Sequence, residues 1–480
     1  MPALTPDQSR SIGALLAETP SIARLGAQFT AAGHSLHLVG GSVRDALLGR
    51  LGNDLDFTTD ARPEQIESIV RGLTKAVWDI GRDFGTIGCR LVDAAGDWLV
   101  EITTYRSDAY SAASRKPEVV FGDSLGGDLL RRDFAVNAMA VDVVSAEFAD
   151  PFGGLGDLAE HALRTPAAPE LSFSDDPLRM LRAARFSSQL GFRPAPDVVK
   201  AMVEMAERIR IVSAERVRDE LSKLLLSDDP RPGLNLLVAT GLAEYVLPEL
   251  PALRLERDEH HRHKDVYEHS LTVLEQAIDL ERARLDGPDL VNRLAALLHD
   301  IGKPATRRFE PGGKVSFHHH DVVGAKLVRK RLQALRFPGD VVADVAKLVE
   351  LHLRFHGYGD GQWTDSAVRR YVRDAGDQLQ RLHILTRSDC TTRNQRKAAR
   401  LRAAYDHLEE RIAELAEQEE LDAMRPDLDG QQIMAILGIA PGPAVGRAYR
   451  YLLERRIDQG PLGAERAEAD LRAWWVQQAE

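Results

Sequence analysis

Cysteine is almost missing from this chain of 480 residues: there are two, Cys89 and Cys390, far apart. That excludes a disulfide framework and a thiolate zinc site, both of which need several cysteines at short spacings, and leaves two ordinary packed thiols as the expectation. Long apolar runs are missing too. None approaches the roughly 18 residues that cross a bilayer, so no membrane span is expected. Positive charge is in deficit, with 62 Lys and Arg against 73 Asp and Glu and a net charge of -11. Indiscriminate nucleic-acid binding rests on neutralising phosphates, so this balance excludes it and leaves only a local basic surface. The opening Met1-Pro2-Ala3-Leu4-Thr5-Pro6-Asp7 lacks the basic patch and apolar run of a secretory leader, and a soluble cytoplasmic protein is expected. The length exceeds what one hydrophobic core usually serves, which implies several domains.

What is present divides into an α/β head and a long helical body. A helix over about the first 30 residues leads into a short apolar strand, His37-Leu38-Val39. Glycines follow, then a helical stretch with Arg44 and Asp45, then a strand at Leu55-Asp56-Phe57. Further strands are expected over residues 87–92, 98–103 and 138–143. From residue 157 to about 251 the patterning is helical, with breaks at Pro166, Pro169, 191–196 and 230–233. From Glu259 onward it is again almost wholly helical, punctuated by a glycine cluster over 355–361 and an acid-rich region over 409–422. No fixed-period repeat occurs.

Gly40 and Gly41 follow the first strand, and without a Cβ they let backbone amides approach a phosphate. Asp54 and Asp56 lie two apart on the next strand, so both carboxylates project from one face and can converge on metal ions. Magnesium prefers oxygen ligands, and phosphoryl transfer uses two ions to stabilise the attacking and leaving oxygens. Arg44, one turn beyond the glycines, would neutralise triphosphate charge, while Asp45 is expected to pair with a basic neighbour. In this order and spacing the residues resemble the signature of the polymerase-β nucleotidyltransferase superfamily. The resemblance implies a third carboxylate on a later strand, and Glu101 stands there.

Next, Arg131-Arg132-Asp133-Phe134-Ala135-Val136-Asn137-Ala138-Met139 brings guanidiniums, a carboxylate and an amide into one short segment. Arginine suits a triphosphate, and Asp and Asn suit ribose hydroxyls. After a turn at Asp150-Pro151-Phe152-Gly153-Gly154 comes a helix opening at Asp175-Asp176-Pro177, on which Arg179, Arg182 and Arg185 recur every third position while Leu178 and Leu181 face a core. The plain alternative is a basic solvated helix face. Together with Ser213-Ala214-Glu215-Arg216-Val217, these blocks resemble class II tRNA nucleotidyltransferases, the CCA-adding enzymes, and their bacterial poly(A) polymerase relatives, over residues 37–226. In that family a helix opening Glu-Asp-x-x-Arg reads the incoming base, which implies this role for Asp176 and Arg179. Asp175 stands where the family commonly has Glu. Chemistry supports such a reading: cytosine and adenine both offer an amine donor beside a ring-nitrogen acceptor, which a carboxylate and a guanidinium match without a template. Uracil and guanine invert that order.

The second half carries His269 in Tyr267-Glu268-His269, the adjacent pair His299-Asp300, the run His318-His319-His320, and Asp389. Imidazole and carboxylate suit a divalent transition metal or magnesium. The pattern resembles the HD superfamily of metal-dependent phosphohydrolases, which implies His269, His299, Asp300 and Asp389 as ligands and His320 as a further candidate. Arg393, Arg396, Lys397 and Arg400 form a basic stretch that could touch RNA, against the plainer reading of a solvated helix face.

The expected architecture is α+β: a polymerase-β-like head with a small mixed sheet over 1–150, an all-α neck over 151–255, an HD-type helical domain over 256–395 and a helical tail over 396–480. The expected activity is untemplated addition of CCA to the 3′ end of tRNA from CTP and ATP, with Mg2+ in the head and a divalent metal in the HD domain. The alternatives are a poly(A) polymerase of the same family, an HD-type nucleotide phosphohydrolase, and a non-enzymatic RNA-binding scaffold.

Overall fold

A computed structural model describes the chain except residues 1–3, 51, 82–84, 95, 107–120, 123, 255–264, 312–313, 356–357, 359–362, 392–393, 420–424 and 479–480. The expected start of the helical half at Glu259, all three glycines in 355–361, the end of the acid-rich region and Arg393 therefore lie outside the described residues. The chain folds as two compact units, Met1–Pro248 and Glu249–Glu480. Among the described residues no helix is long and apolar enough to cross a membrane.

The first unit opens with two helices, α1 (Pro6–Glu18) and α2 (Pro20–Ala31), where one was expected. Pro20 starts the second, because proline fits a first helical turn and cannot continue the previous one. Then follow β1 (Leu36–Val39), α3 (Gly41–Leu47), β2 (Asp54–Thr59), α4 (Pro63–Arg71), β3 (Val77–Gly81), β4 (Thr86–Val92), β5 (Asp97–Thr104), α5 (Leu125–Leu130), β6 (Ala140–Asp142) and β7 (Phe148–Ala149). The strands form one mixed sheet in the order β3-β4-β5-β2-β1-β6-β7. Within this sheet, among the described residues, β2 and β5 pair in parallel and the other pairs are antiparallel; a separate short parallel pair joins Ala162–Leu163 to Arg193–Pro194. Sequence patterning missed β3 and β7. It also began β6 too early, because Ala138 still caps the 3-10 turn over 135–137, and the strand runs only over Ala140–Asp142.

Alternation decides what each face of the sheet does. Leu55, Phe57, Val100, Ile102, Ile87 and Cys89 point to one side and bury against Ile12, Leu16, Ile22, Leu25 and Phe29 of α1 and α2 and Ile66 of α4. Cys89 lies in this core, and burial pushes its thiol up to about 12; Cys390 is only half-buried. The opposite face carries Asp54, Asp56 and Glu101, all solvent-accessible. Beyond the sheet come α6 (Gly154–Glu160), α7 (Pro169–Asp175), α8 (Leu178–Gln189), α9 (Pro196–Met205) and α10 (Ala214–Leu225).

The second unit is helical, as the patterning indicates, apart from a small hairpin of Arg308–Glu310 and Lys314–Ser316. Its central helices are Val266–Arg284, Leu290–Leu298, His320–Ala334, Gly339–Leu351 and Leu379–Ser388. Arg293 and Glu281, both essentially without solvent contact, join the first two of these through two hydrogen bonds of 3.0 and 2.8 Å. Asn292 donates to the same carboxylate. A smaller core of Leu428, Ile433, Ala448, Leu452, Ala467 and Leu471 gathers the last three helices.

Candidate active site

In the first unit the turn between β1 and α3 carries the sheet's carboxylates and the distal arginines to one place. Gly40 sits at φ 69°, a conformation that favours glycine. A Cβ there would lie 2.9 Å from an Arg132 guanidinium nitrogen and 3.5 Å from Asp56 Oδ2, so the missing side chain is what lets those two groups close over the turn. The hydroxyl of Ser42 accepts from the Asp56 amide (3.0 Å) and donates to the Asp54 carbonyl (3.3 Å). This ties α3 to the carboxylate strand.

Parallel pairing sets Asp56 directly beside Glu101 and Asp54 beside Leu99. The carboxyl groups repel one another. Protein atoms crowd Asp56, and this desolvation, with the charge of Asp54, raises its pKa against the pull of Arg132, Arg182 and Arg44. Glu101 is raised by desolvation and by Asp56 and Asp54. A trio held together against its own charge fits a cation, which supplies the missing positive field.

Asp56 opens into a cavity of about 280 Å³ that is also lined by Arg132, Asp133, Asp176, Arg179 and Arg182. Three stretches of sequence, at residue 56, at 132–133 and at 176–182, therefore meet in one space. Asp133 accepts from the Phe134 amide (2.8 Å), the Asn137 amide (3.0 Å) and Arg182 Nε (2.7 Å). Burial pushes its carboxyl up, but Arg182, Asn137, Arg179 and the backbone outweigh this and hold it down at about 2.

The remaining nucleotide-binding candidates are placed differently. Arg44 is buried and donates to both oxygens of Asp45 (2.9 and 2.7 Å) and to Asn137 (2.6 Å), so it braces Asn137 from behind, and Asp45 has the basic neighbour expected of it. Gly41 approaches the same Arg44 guanidinium. Helix α8 presents no basic solvated face: Arg179 and Arg185 are buried. Arg179 donates to Ser172 (2.8 Å) and to the Arg131 carbonyl, and Arg185 to Glu220 (2.7 Å) and Gln189 (2.6 Å). Arg44, Arg182 and Arg185 all lie over the ring of Phe186, 4.1 to 5.7 Å from its centroid, where the negative ring face offsets their mutual repulsion. Asp176 accepts from Arg216 of α10 at 2.7 Å.

In the second unit, five of six candidate ligands sit where helices begin or end. His299 caps Leu290–Leu298 and Asp300 follows it; His320 opens its helix; His352 caps Gly339–Leu351; Asp389 caps Leu379–Ser388. His269 lies in the first turn of Val266–Arg284. The ligand atoms of His269, His299 and Asp389 lie within 4.8 Å of one another, and so do those of Asp300, His320 and His352. Gly302 permits this: a Cβ there would lie 2.0 Å from the His320 carbonyl oxygen, so no other residue lets the His-Asp segment press against that helix. Burial pushes His299 down, but Asp300 and Asp389 more than reverse it, to about 10. His352, buried beside the His299 ring, falls to about 4. Asp300 lies well below the ordinary carboxylate range because His299, His320 and Lys303 outweigh the penalty of burial.

Residues 36–164 match the Poly A polymerase head domain, 191–253 the probable RNA- and SrmB-binding site of polymerase A, and 266–417 the HD domain. The chain is 36% identical over 446 residues to the A-adding tRNA nucleotidyltransferase of Deinococcus radiodurans, covering 91% of this chain and 95% of the relative. The chain belongs to the tRNA nucleotidyltransferase family. A second member, the CC-adding tRNA nucleotidyltransferase of Thermus thermophilus, is 34% identical over 449 residues, covering 91% and 93%. The fold is shared over 99% of both chains with the Bacillus stearothermophilus CCA-adding enzyme solved in complex with CTP, at TM-score 0.66 and 24% identity.

Within this family member, sequence reasoning missed Ser42, Asp128 and His352. Asp128 is buried under the cavity, where it accepts from Thr58 (3.2 Å) and Arg132 (3.2 Å). It lies four residues before Arg132, a helical spacing that could have suggested the pair. Nothing local marks His352.

Proposed function

We propose that the chain adds nucleotides to the 3′ end of tRNA, building or repairing the terminal CCA from CTP and ATP and releasing pyrophosphate. The observation that carries this is the single cavity joining Asp56 to Arg132, Asp133, Asp176, Arg179 and Arg182. Asp54, Asp56 and Glu101 would hold magnesium, which neutralises triphosphate charge and favours attack of the tRNA 3′ hydroxyl on the α-phosphate. Arg132 faces the departing pyrophosphate, Asp133 and Asn137 the ribose, and Asp176 with Arg179 the Watson–Crick edge of C or A. Arg44, Arg182 and Arg185 support these groups, and Gly40 and Gly41 give the phosphates room. In the second unit His269, His299, Asp300 and Asp389 would hold a divalent cation. Its support is the set of buried imidazole nitrogens, His299 Nε2 among them, that lack a well-aligned hydrogen-bond partner. We take head, neck, HD-type domain and tail as 1–150, 151–255, 256–395 and 396–480, and the cytoplasm as the place of work.

A second reading is favoured by the names of the two relatives that align along most of the chain, one A-adding and one CC-adding: this chain adds only one of these. The test uses tRNA lacking CCA and tRNA ending in CC, each incubated with one labelled triphosphate or with CTP and ATP together, and with magnesium. Two C and one A followed by arrest supports full CCA addition. Extension by CC alone, or by A only on the CC-ending substrate, supports the divided reading. Long A tails mark a poly(A) polymerase, and nucleotide loss without extension marks a phosphohydrolase.

A further inference from the structure

We propose that Trp78 is the platform on which the last base of the growing RNA end stacks, so that it positions the attacking 3′ hydroxyl beside Glu101. This deepens the proposed function and rests on it.

The pairing registers of four strands place the residue. Asp56 of β2 stands beside Glu101 of β5, Glu101 beside Gly88 of β4, and Gly88 beside Trp78 of β3. Residues directly opposite on paired strands share one face of the sheet. The row therefore runs along the accessible face, from the carboxylates to an indole. Gly88 fixes the direction in which the ring leans. A Cβ there would point out of the same face as Glu101, and it would run into Trp78 Nε1 and lie 2.7 Å from Cε2. The indole is thus laid across β4 toward Glu101, and a glycine is what leaves it room. Strands lie about 4.8 Å apart, so a ring over Gly88 is about one strand spacing from the Glu101 backbone.

The ring is also uncommitted. Val77 and Trp98 pack against the core on the opposite face, while Trp78 stays half-buried on the wet one. Trp98 donates its N–H to Asp93 (3.4 Å); among the described residues nothing receives the N–H of Trp78. Leu99, two residues before Glu101 on the same face, is 42% exposed. Two large apolar side chains therefore flank the carboxylates where water, not packing, meets them.

The nucleotide cavity lies to the other side. It leads from Asp56 to Arg132, which closes over Gly40 at the end of β1, whereas Trp78 lies beyond Glu101 in the strand order. Attacking and leaving oxygens of phosphoryl transfer are roughly in line, so a nucleotide whose pyrophosphate departs toward Arg132 is attacked from the side of Glu101. The attacking end changes its last base with each addition. Stacking tolerates that change, because every base has a π-face. The rival role for the ring is to cover Gly88, since aromatic side chains laid over strand glycines stabilise sheets.

The test is a double-mutant cycle on kcat/KM for tRNA, using whichever 3′ end the parent extends, with its last nucleotide intact or abasic. In the parent, loss of the base should lower kcat/KM by about tenfold or more. In Trp78→Ala the intact tRNA should already show that loss and the abasic tRNA little more, with an unchanged KM for the triphosphate. Trp78→Phe keeps a π-face and should retain most activity; Trp78→Leu covers Gly88 without one and should not. Equal activity in the Phe and Leu variants, losses that multiply across the cycle, or a raised triphosphate KM as the sole effect each overturn the platform. The parent decides even where a variant folds poorly, which melting curves would reveal: if it extends abasic and intact ends equally well, the proposal fails while the proposed function stands. A parent that extends no tRNA end overturns both.

Discussion

The two units gather carboxylates by opposite means. The first places them on adjacent strands, where a period of two and one parallel pairing set Asp54, Asp56 and Glu101 side by side. The second brings them in on the ends of separate helices, with each of three histidines oriented by a carbonyl of its own chain three residues back. A strand site is written locally and stays open to solvent; a helix-end site is assembled from distant segments and is closed. The first can take a large, charged, changing substrate. The second suits an ion that stays.

The sharpest way to break this comparison is to remove one carboxylate from the strand site. Asp56→Ala should lower nucleotide incorporation by about a thousandfold or more, with an unchanged melting curve and unchanged manganese in the second unit; near-normal incorporation would sink the proposed roles. A buried ion pair loses roughly 3–5 kcal/mol when one partner is deleted. Glu281→Ala should therefore destabilise the helix-end unit by about that amount in denaturant unfolding, because it strands Arg293. If the stability of the first unit fell equally, the two would not be independent. Asp133 provides a pH test. Its folded pKa of about 2 lies below the ordinary value, so its contribution is full above about pH 4 and is lost as pH falls through 2. The difference in stability between the parent and Asp133→Asn should shrink by about 2 kcal/mol over that window, and a difference independent of pH would contradict the assignment. The smallest effect is expected at Arg216, which is half-exposed in its contact with Asp176. Arg216→Ala should reduce the preference for CTP over UTP by only a few-fold, measured as the ratio of kcat/KM values; a loss of all incorporation would give it a larger part than positioning Asp176.

The same contrast explains what could be read from the sequence. Asp54 and Asp56 were legible because a strand repeats every two residues, and His299-Asp300 because the two are adjacent. The glycines were legible as permission for close approach, and Gly40 has Arg132 and Asp56 where a side chain would stand. Arg44 was expected to meet phosphate yet binds Asp45 and Asn137, because its partner at residue 137 comes from a distant segment. The regular spacing of Arg179, Arg182 and Arg185 said where they lie on a helix but not that Ser172, Asp133 and Glu220 would receive them. His352 is alone in an apolar helix, and only the tertiary packing of that helix gives it neighbours.

The register between β2 and β5 has one more consequence. Leu55, Phe57, Val100 and Ile102 can be buried only if Asp54, Asp56 and Glu101 are presented on the other face, since a slip by one residue would exchange the two sets. Mispaired chains thus lose their core together with their carboxylates. Core and carboxylates are coupled: the pairing that buries Leu55, Phe57, Val100 and Ile102 is the one that sets Asp56 beside Glu101 on the accessible face.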